Sequence, residues 1–211
     1  MAPLSVLIID SHEIVRFALE TMILGAPGLR LLGSAGTLAA GLLLIRQRRP
    51  DLVLAELSLP DSRGLDTVRS VVAAQRPRHT LVVSSMDEML YGEQALAAGA
   101  EGYVHKDQAQ GDLLPAVQAV AAGQRWISPG LNARMLDRVL KRGRSPESSH
   151  PSFTARELDV LEQLKTGKSS KQIAQYLGIS TRTVDLHRAH MKKKLGLRSG
   201  AELVAFASHH F

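Results

Sequence analysis

The sequence predicts a doubly wound parallel α/β domain over residues 1–124, a linker carrying a short helix over 125–150, and a small all-helical domain over 151–211. Three observations predict this division. Short apolar runs alternate with longer amphipathic stretches up to about residue 124, the pattern of a parallel sheet covered by helices on both faces. From Phe153 onward the apolar spacing is helical throughout. Charge divides at the same place: Lys and Arg against Asp and Glu stand at 10 to 13 in residues 1–124, 6 to 2 in 125–149, and 10 to 5 in 150–211. An acidic half joined to a basic half fits a regulatory domain attached to a nucleic-acid binder, although a solvated basic face would give the same count.

Strands are expected at Leu4–Ile9, Leu29–Ala35, Leu52–Glu56, Thr80–Ser84 and Gly102–Val104. Helical stretches lie between and after them at Ile14–Leu24, Leu38–Arg48, Leu65–Gln75, Met89–Ala98 and Asp112–Ala121. Five such β-α units form a flavodoxin-like domain, whose ligands sit beyond the carboxyl ends of the strands. Ile127-Ser-Pro-Gly reads as a turn, Leu131–Leu140 as a helix, and Lys141 to Pro151, basic and rich in Ser and Pro, as a flexible connector.

Composition excludes several function classes. The chain has no cysteine, which removes disulfides, thiolate metal sites and a cysteine nucleophile. The apolar run Leu4–Ile9 is too short for a signal-peptide core or a membrane span, so a soluble, cytoplasmic protein without membrane contact is expected. The short strand-to-helix turns carry no Gly-x-Gly-x-x-Gly or Walker pattern, which argues against nucleotide binding. His12 and His105 flank the strand ends but have no sequence partner at metal-ligand spacing, so no metal is expected on them.

The chemistry-bearing residues gather at the strand ends. Asp10 and Ser11 follow the first strand, Glu56 ends the third, Ser85 follows the fourth, and Lys106 follows the fifth. Carboxylate, hydroxyl and ammonium delivered from separate strands form a phosphoryl-sized polar pocket. The runs Leu-Ile-Ile-Asp10-Ser-His-Glu-Ile-Val-Arg16, Pro50-Asp-Leu-Val-Leu-Ala-Glu56-Leu-Ser-Leu-Pro60, Val-Val-Ser-Ser85-Met-Asp-Glu and Ala-Gly-Ala-Glu-Gly-Tyr103-Val-His-Lys106-Asp resemble the receiver domain of NarL/FixJ-type response regulators. In that family two consecutive acids after the first strand hold Mg²⁺ and an aspartate on the third strand takes a phosphoryl group from a histidine kinase. A Ser or Thr binds the phosphoryl oxygen and the lysine pairs with it. The resemblance implies that Ser85 and Tyr103 are the switch residues.

Two positions depart from the family pattern. Ser11 stands where the second acid belongs, and Glu56 stands at the phosphoacceptor. Mg²⁺ requires near-octahedral oxygen ligation at about 2.1 Å and anchors on carboxylates. Weak or absent Mg²⁺ binding is therefore expected, with suppressed phosphoryl acceptance, and partnership with a histidine kinase stays open. Two roles stay open for Glu56. Its carboxylate reaches about 1.5 Å farther than that of aspartate, toward Lys106 and Ser85, and would partly imitate an acyl phosphate. It would equally form a static buried ion pair with Lys106.

In the last domain Thr154-Ala-Arg-Glu157 and Ser169-Ser-Lys-Gln172 have the capping-box form, Gly178 suits a left-handed helix end, and Ser180 caps the next helix. The unit Lys171–Leu177, Gly-Ile-Ser, Thr181–Leu195 is then helix, turn, helix. On a helical wheel Val184, Met191 and Leu195 form one stripe with His187 at its edge, while Arg182, Asp185, Leu186, Ala189 and Lys193 face away. These segments resemble the LuxR-type helix-turn-helix. That resemblance puts Asp185, Leu186 and Ala189 against bases, and Lys171, Thr181, Arg182, Arg188, Lys192 and Lys193 near phosphates of double-stranded DNA.

The combined reading is a bacterial DNA-binding transcription regulator with a degenerate receiver, independent of phosphorylation. Its alternatives are a conventional phosphorylation-controlled two-component regulator and a regulator controlled by a ligand in the receiver pocket. Enzymatic phosphoryl hydrolysis by Asp10, Glu56 and Lys106 would need a nucleophilic aspartate or a metal, and a non-enzyme is expected. A homodimer is expected, because one small helix-turn-helix covers too few base pairs for selectivity. Leu203, Val204 and Phe206 on the last helix, Ala201–Ser208, are the candidate dimer contacts.

Overall fold

The computed structural model describes residues 2–76, 78–140 and 153–210. The chain divides into two compact units, Met1–Ala133 and Arg134–Phe211.

Five parallel strands, β1 (Leu4–Ile9), β2 (Leu29–Ala35), β3 (Leu52–Ala55), β4 (His79–Ser84) and β5 (Gly102–His105), form one sheet in the order β2-β1-β3-β4-β5. The helices are α1 (Glu13–Gly25), α2 (Leu38–Arg48), α3 (Gly64–Gln75), α4 (Glu88–Ala97) and α5 (Ala109–Ala121). The sheet is buried on both faces, which is why its strands are continuous apolar runs. Val6, Ile8, Leu54 and Val83 pack with Leu19 and Ile23 of α1 and with Leu113 and Val117 of α5. The alternate residues Leu7, Ile9, Val53 and Ala55 pack with Ile45 of α2 and Val71 of α3. Because the strand order reverses beside β1, the crevice between the carboxyl ends of β1 and β3 lies at the switch point where such folds bind ligands.

The first unit runs past residue 124, the boundary expected from the sequence. The Tyr103 N–H donates to the Trp126 carbonyl at 2.8 Å, and the Trp126 N–H donates to Glu101 at 3.0 Å, so the chain after α5 adds to the edge of β5. Helix α6 (Pro129–Leu140) follows. Leu131 at its start is fully buried, and a Cβ at Gly92 of α4 would lie 2.4 Å from Leu131 Cδ2. Only glycine permits that approach. The connector expected at Lys141 to Pro151 lies outside the described residues.

The second unit contains α7 (Ala155–Lys165), α8 (Ser170–Leu177), α9 (Thr181–Leu195) and α10 (Gly200–His210). Both capping boxes form, Thr154 with Glu157 and Ser169 with Gln172. Gly178 ends α8 at φ 65°, a left-handed conformation that favours glycine, and Ser180 Oγ accepts from the Thr183 N–H at 3.0 Å to begin α9. Val184 and Met191 are buried and Leu195 partly so, as the stripe requires. The last helix departs from expectation. Leu203 is fully buried, and the Phe206 ring packs on Phe153 with centroids 6.1 Å apart. The apolar stripe of α10 is core of its own unit and not an exposed dimer surface, because α10 closes over α7 and α9.

Candidate functional site

The carboxyl ends of β1, β3, β4 and β5 converge on one buried polar cluster. The Glu56 N–H completes the sheet ladder by donating to the Ile9 carbonyl at 2.9 Å, which aims the side chain over the strand ends. Asp10 and Glu56 are 1% and 2% exposed, so their charge requires compensation inside the protein. Lys106 supplies it, with Nζ 2.6 Å from Asp10 Oδ2 and 2.5 Å from Glu56 Oε2. Glu56 Oε1 accepts from the Leu57 N–H at 2.6 Å, the Ser58 N–H at 3.3 Å and the Ser84 hydroxyl at 2.5 Å. Asp10 Oδ1 accepts from the His12 N–H at 2.9 Å.

The pocket hydroxyl is Ser84, where the sequence pointed to Ser85. Strand alternation puts Ser85 in phase with Val83, but β4 stops at Ser84, and the next residue turns out to solvent. Ser84 also links the pocket to Tyr103. Its Oγ accepts from the Met86 N–H at 3.2 Å, and the Met86 carbonyl accepts from the Tyr103 hydroxyl at 2.7 Å. Tyr103 is 1% exposed, and burial pushes its phenol well above the usual range, so it stays a donor. Ser85 itself contributes only its carbonyl, 3.0 Å from His105 Nε2.

Metal ligation depends on what the two carboxylates already hold. Folding brings His12 beside them, correcting the expectation that it has no partner: a nitrogen of His12 and oxygens of Asp10 and Glu56 lie within 4.8 Å of one another. His12 Nδ1 is 3.2 Å from Asp10 Oδ1. Yet the Lys106 ammonium stands against both acids, and Ser11 brings a hydroxyl, 3.5 Å from the Ser58 carbonyl, in place of a carboxylate. Mg²⁺ needs anionic oxygens free to face it, and the ammonium engages one oxygen of each acid.

In the second unit α9 presents Arg182, Asp185, Leu186, Ala189 and Lys193 to solvent, with Leu186 50% exposed despite being apolar. Lys171 on α8 and Thr181 at the start of α9 are exposed too. Arg188 and Lys192 are half-buried, and Arg188 Nη1 donates to Ser170 Oγ at 2.8 Å, tying α9 to α8. The helix is held from its other end by a pair that the sequence reading missed. Lys194 Nζ lies 2.6 Å from Oε2 of the buried Glu157, which also accepts from the Thr154 N–H at 2.7 Å. Burial alone would raise the Glu157 carboxyl, but the hydrogen bonds from Lys194 and Thr154 hold it below its ordinary value. His187 is lowered, chiefly by burial at the edge of the stripe.

Both units match known families. Residues 6–118 match the response regulator receiver domain, and residues 151–207 match the bacterial regulatory proteins of the luxR family. The chain belongs to the LuxR-type response regulators. It is 32% identical to the transcriptional regulatory protein MctR of Rhizobium johnstonii over 97% of this chain and 93% of that protein. It is also 32% identical to the nitrate/nitrite response regulator NarL of Escherichia coli over 95% and 93%. Among solved structures, a LuxR-family two-component response regulator from Aurantimonas superposes with a TM-score of 0.60 at 26% identity, over 65% of this chain and 99% of that one. RcsB of Salmonella enterica, bound to the promoter rprA with phosphomimetic BeF3-, superposes with a TM-score of 0.73 over 98% of both chains at 19% identity, a likeness of fold.

As a response regulator the chain carries a DNA-binding output unit. Among the described residues no helix is long and apolar enough to cross a membrane.

Proposed function

We propose that this response regulator controls transcription without phosphorylation, its receiver held by Glu56 in the arrangement that a phosphoryl group would otherwise produce. One observation carries the reading: Glu56 engages Lys106, the ammonium that a phosphoryl group would engage in this family, together with the pocket hydroxyl of Ser84, the neighbour of Ser85. An acyl phosphate brings about two charges and three acceptor oxygens. Glu56 brings one charge and two oxygens, of which Oε1 takes the hydroxyl and two backbone N–H groups, and Oε2 takes the ammonium. The path Ser84, Met86, Tyr103 then carries the state of the pocket to the β5 edge.

In this reading Mg²⁺ and a kinase are not required, and the protein is a cytoplasmic, non-enzymatic homodimer. Asp185, Leu186 and Ala189 face bases, with Lys171, Thr181, Arg182, Arg188, Lys192 and Lys193 against phosphates. An uncharged stripe on α1 supports the dimer: Ile14, Phe17 and Leu24 are 85%, 72% and 69% exposed. A second copy covers such a stripe across a two-fold axis without opposing like charges. Footprinting on bound promoter DNA tests the arrangement, with two half-sites expected about 10 bp apart, centre to centre. A saturated footprint of one half-site would refute the dimer. Labelling with acetyl phosphate and Mg²⁺ tests the input, and stoichiometric incorporation would return the protein to conventional control.

A further inference from the structure

Helix α9 carries five cationic side chains, Arg182, Arg188, Lys192, Lys193 and Lys194, and one acid, Asp185. A carboxylate on a face turned to DNA is repelled by the phosphates on both sides of the groove. Such a residue weakens binding unless it meets a donor. Local helix energetics do not account for it. Asp185 is the fifth residue of α9, beyond the first turn where the helix dipole favours an acid, and aspartate is a poor former of helix interiors.

Ion pairing does not account for it either. Arg182 and Arg188 stand three residues away on each side, the spacing at which helical charges meet, yet both leave Asp185 alone. Arg188 is turned aside: Nη1 donates to Ser170 Oγ at 2.8 Å, and Nη2 comes within 3.3 Å of the place a Cβ would take on Gly200. The Asp185 carboxylate is therefore exposed and, among the described residues, without a partner. Its neighbours on the same face are Leu186, 50% exposed, and Ala189, one turn along, whose side chain ends at Cβ. So short a neighbour leaves room for a base edge to come up to Asp185.

We propose that Asp185 is a specificity-determining residue that selects a cytosine in each half-site by accepting a hydrogen bond from the 4-amino group. This rests on the placement of the α9 face against bases proposed above. An ionised carboxylate has acceptors only, and the major-groove edges of the bases differ on that ground. Guanine and thymine present acceptors at N7, O6 and O4, which repel it. Adenine presents a donor at N6 with the N7 acceptor beside it, so one bond is gained and one repulsion met. Cytosine presents the N4 donor and no acceptor on its own edge. That base alone offsets the phosphate repulsion without adding a second one.

Selection of sites from a pool of randomised duplexes by the full chain tests this, with wild type, Asp185→Asn and Leu186→Ala run in parallel and the selected sites titrated by fluorescence anisotropy. In wild type one position of each half-site is expected to be a C·G pair, preferred over A·T by about tenfold. Asp185→Asn should erase that preference and turn it toward adenine, because an amide donates to N7 and accepts from N6. The other positions should hold. Asp185→Ala, which erases the preference without the turn to adenine, serves where the Asn variant fails to fold. A uniform rise in affinity for all duplexes, with every position unchanged, would make Asp185 an electrostatic brake and overturn the proposal. So would an A·T pair in wild type at the position that Asp185→Asn alters. Leu186→Ala separates this inference from the reading beneath it. If it alters a position of its own while Asp185→Asn alters none, the cytosine contact alone fails; if neither alters any position, the α9 face does not read bases and both fail.

Discussion

The Ser84 hydroxyl donates to Glu56 Oε1 over 2.5 Å, joining the carboxyl ends of β4 and β3 inside the receiver. The same oxygen that draws in Ser84 belongs to the carboxylate that holds Lys106, so β3, β4 and β5 are tied through one side chain.

That joint sets an expectation for Glu56→Ala. Removing one partner of a buried pair costs roughly 3–5 kcal/mol when the other is left uncompensated. Lys106 keeps Asp10 at 2.6 Å, which places the loss at or below the lower end of that range. Under the proposed function, DNA affinity per folded molecule falls as well, measured by fluorescence anisotropy on protein whose folded fraction is known from its urea curve. Unchanged affinity per folded molecule would leave Glu56 as a static ion pair.

Phosphorylation chemistry is expected to return in steps. The unmodified protein should take no label from acetyl phosphate with Mg²⁺. Glu56→Asp should take a little, and Ser11→Asp with Glu56→Asp more, because the double change replaces the missing metal ligand as well as the acceptor. Equal labelling of the single and double variants would show that Ser11 does not limit the metal site.

DNA binding should weaken with salt at a log–log slope near −0.9 per neutralised phosphate. Arg182→Ala and Lys193→Ala are expected to reduce that slope by about one each, across all sequences. Asp185→Ala and Leu186→Ala should change the preferred sequence with the slope intact. A slope change in the second pair and none in the first would reverse the assignment of the α9 face.

Acid should loosen the second unit through His187. Its folded pKa is lowered from the ordinary 6.5, so the unfolded chain binds the proton more readily. Stability is therefore complete above pH 6.5 and declines as pH falls below it toward the folded value. Glu157, also lowered from its ordinary 4.5, acts in the same direction at lower pH. Thermal melts from pH 7.5 to 5.5 should show a falling midpoint for this unit, and His187→Gln should flatten the change in that interval. A midpoint that rises on acidification would contradict the sign.

The dimer proposal concerns Phe17, 72% exposed on α1. Phe17→Ser should raise the dimer dissociation constant in sedimentation equilibrium without lowering stability, since the side chain is not part of the core. An unaltered dissociation constant would move the interface elsewhere.

By itself the sequence determined the order of elements, because apolar periodicity, caps and glycines act within a few residues of one another. Thr154, Ser169, Gly178 and Ser180 mark the helix ends of the second unit, and the strand runs of the first are apolar throughout since both sheet faces are covered. The strand-end positions of Asp10, Glu56 and Lys106 were legible for the same reason. Tertiary structure alone decided what local pattern leaves degenerate. It chose Ser84 over Ser85 through where β4 stops, set His12 beside Asp10, and joined Glu157 to Lys194, 37 residues apart. It also buried Leu203 in its own unit. Each of these depends on contacts between distant segments, which close only when the core packs, and no periodicity within a segment encodes them.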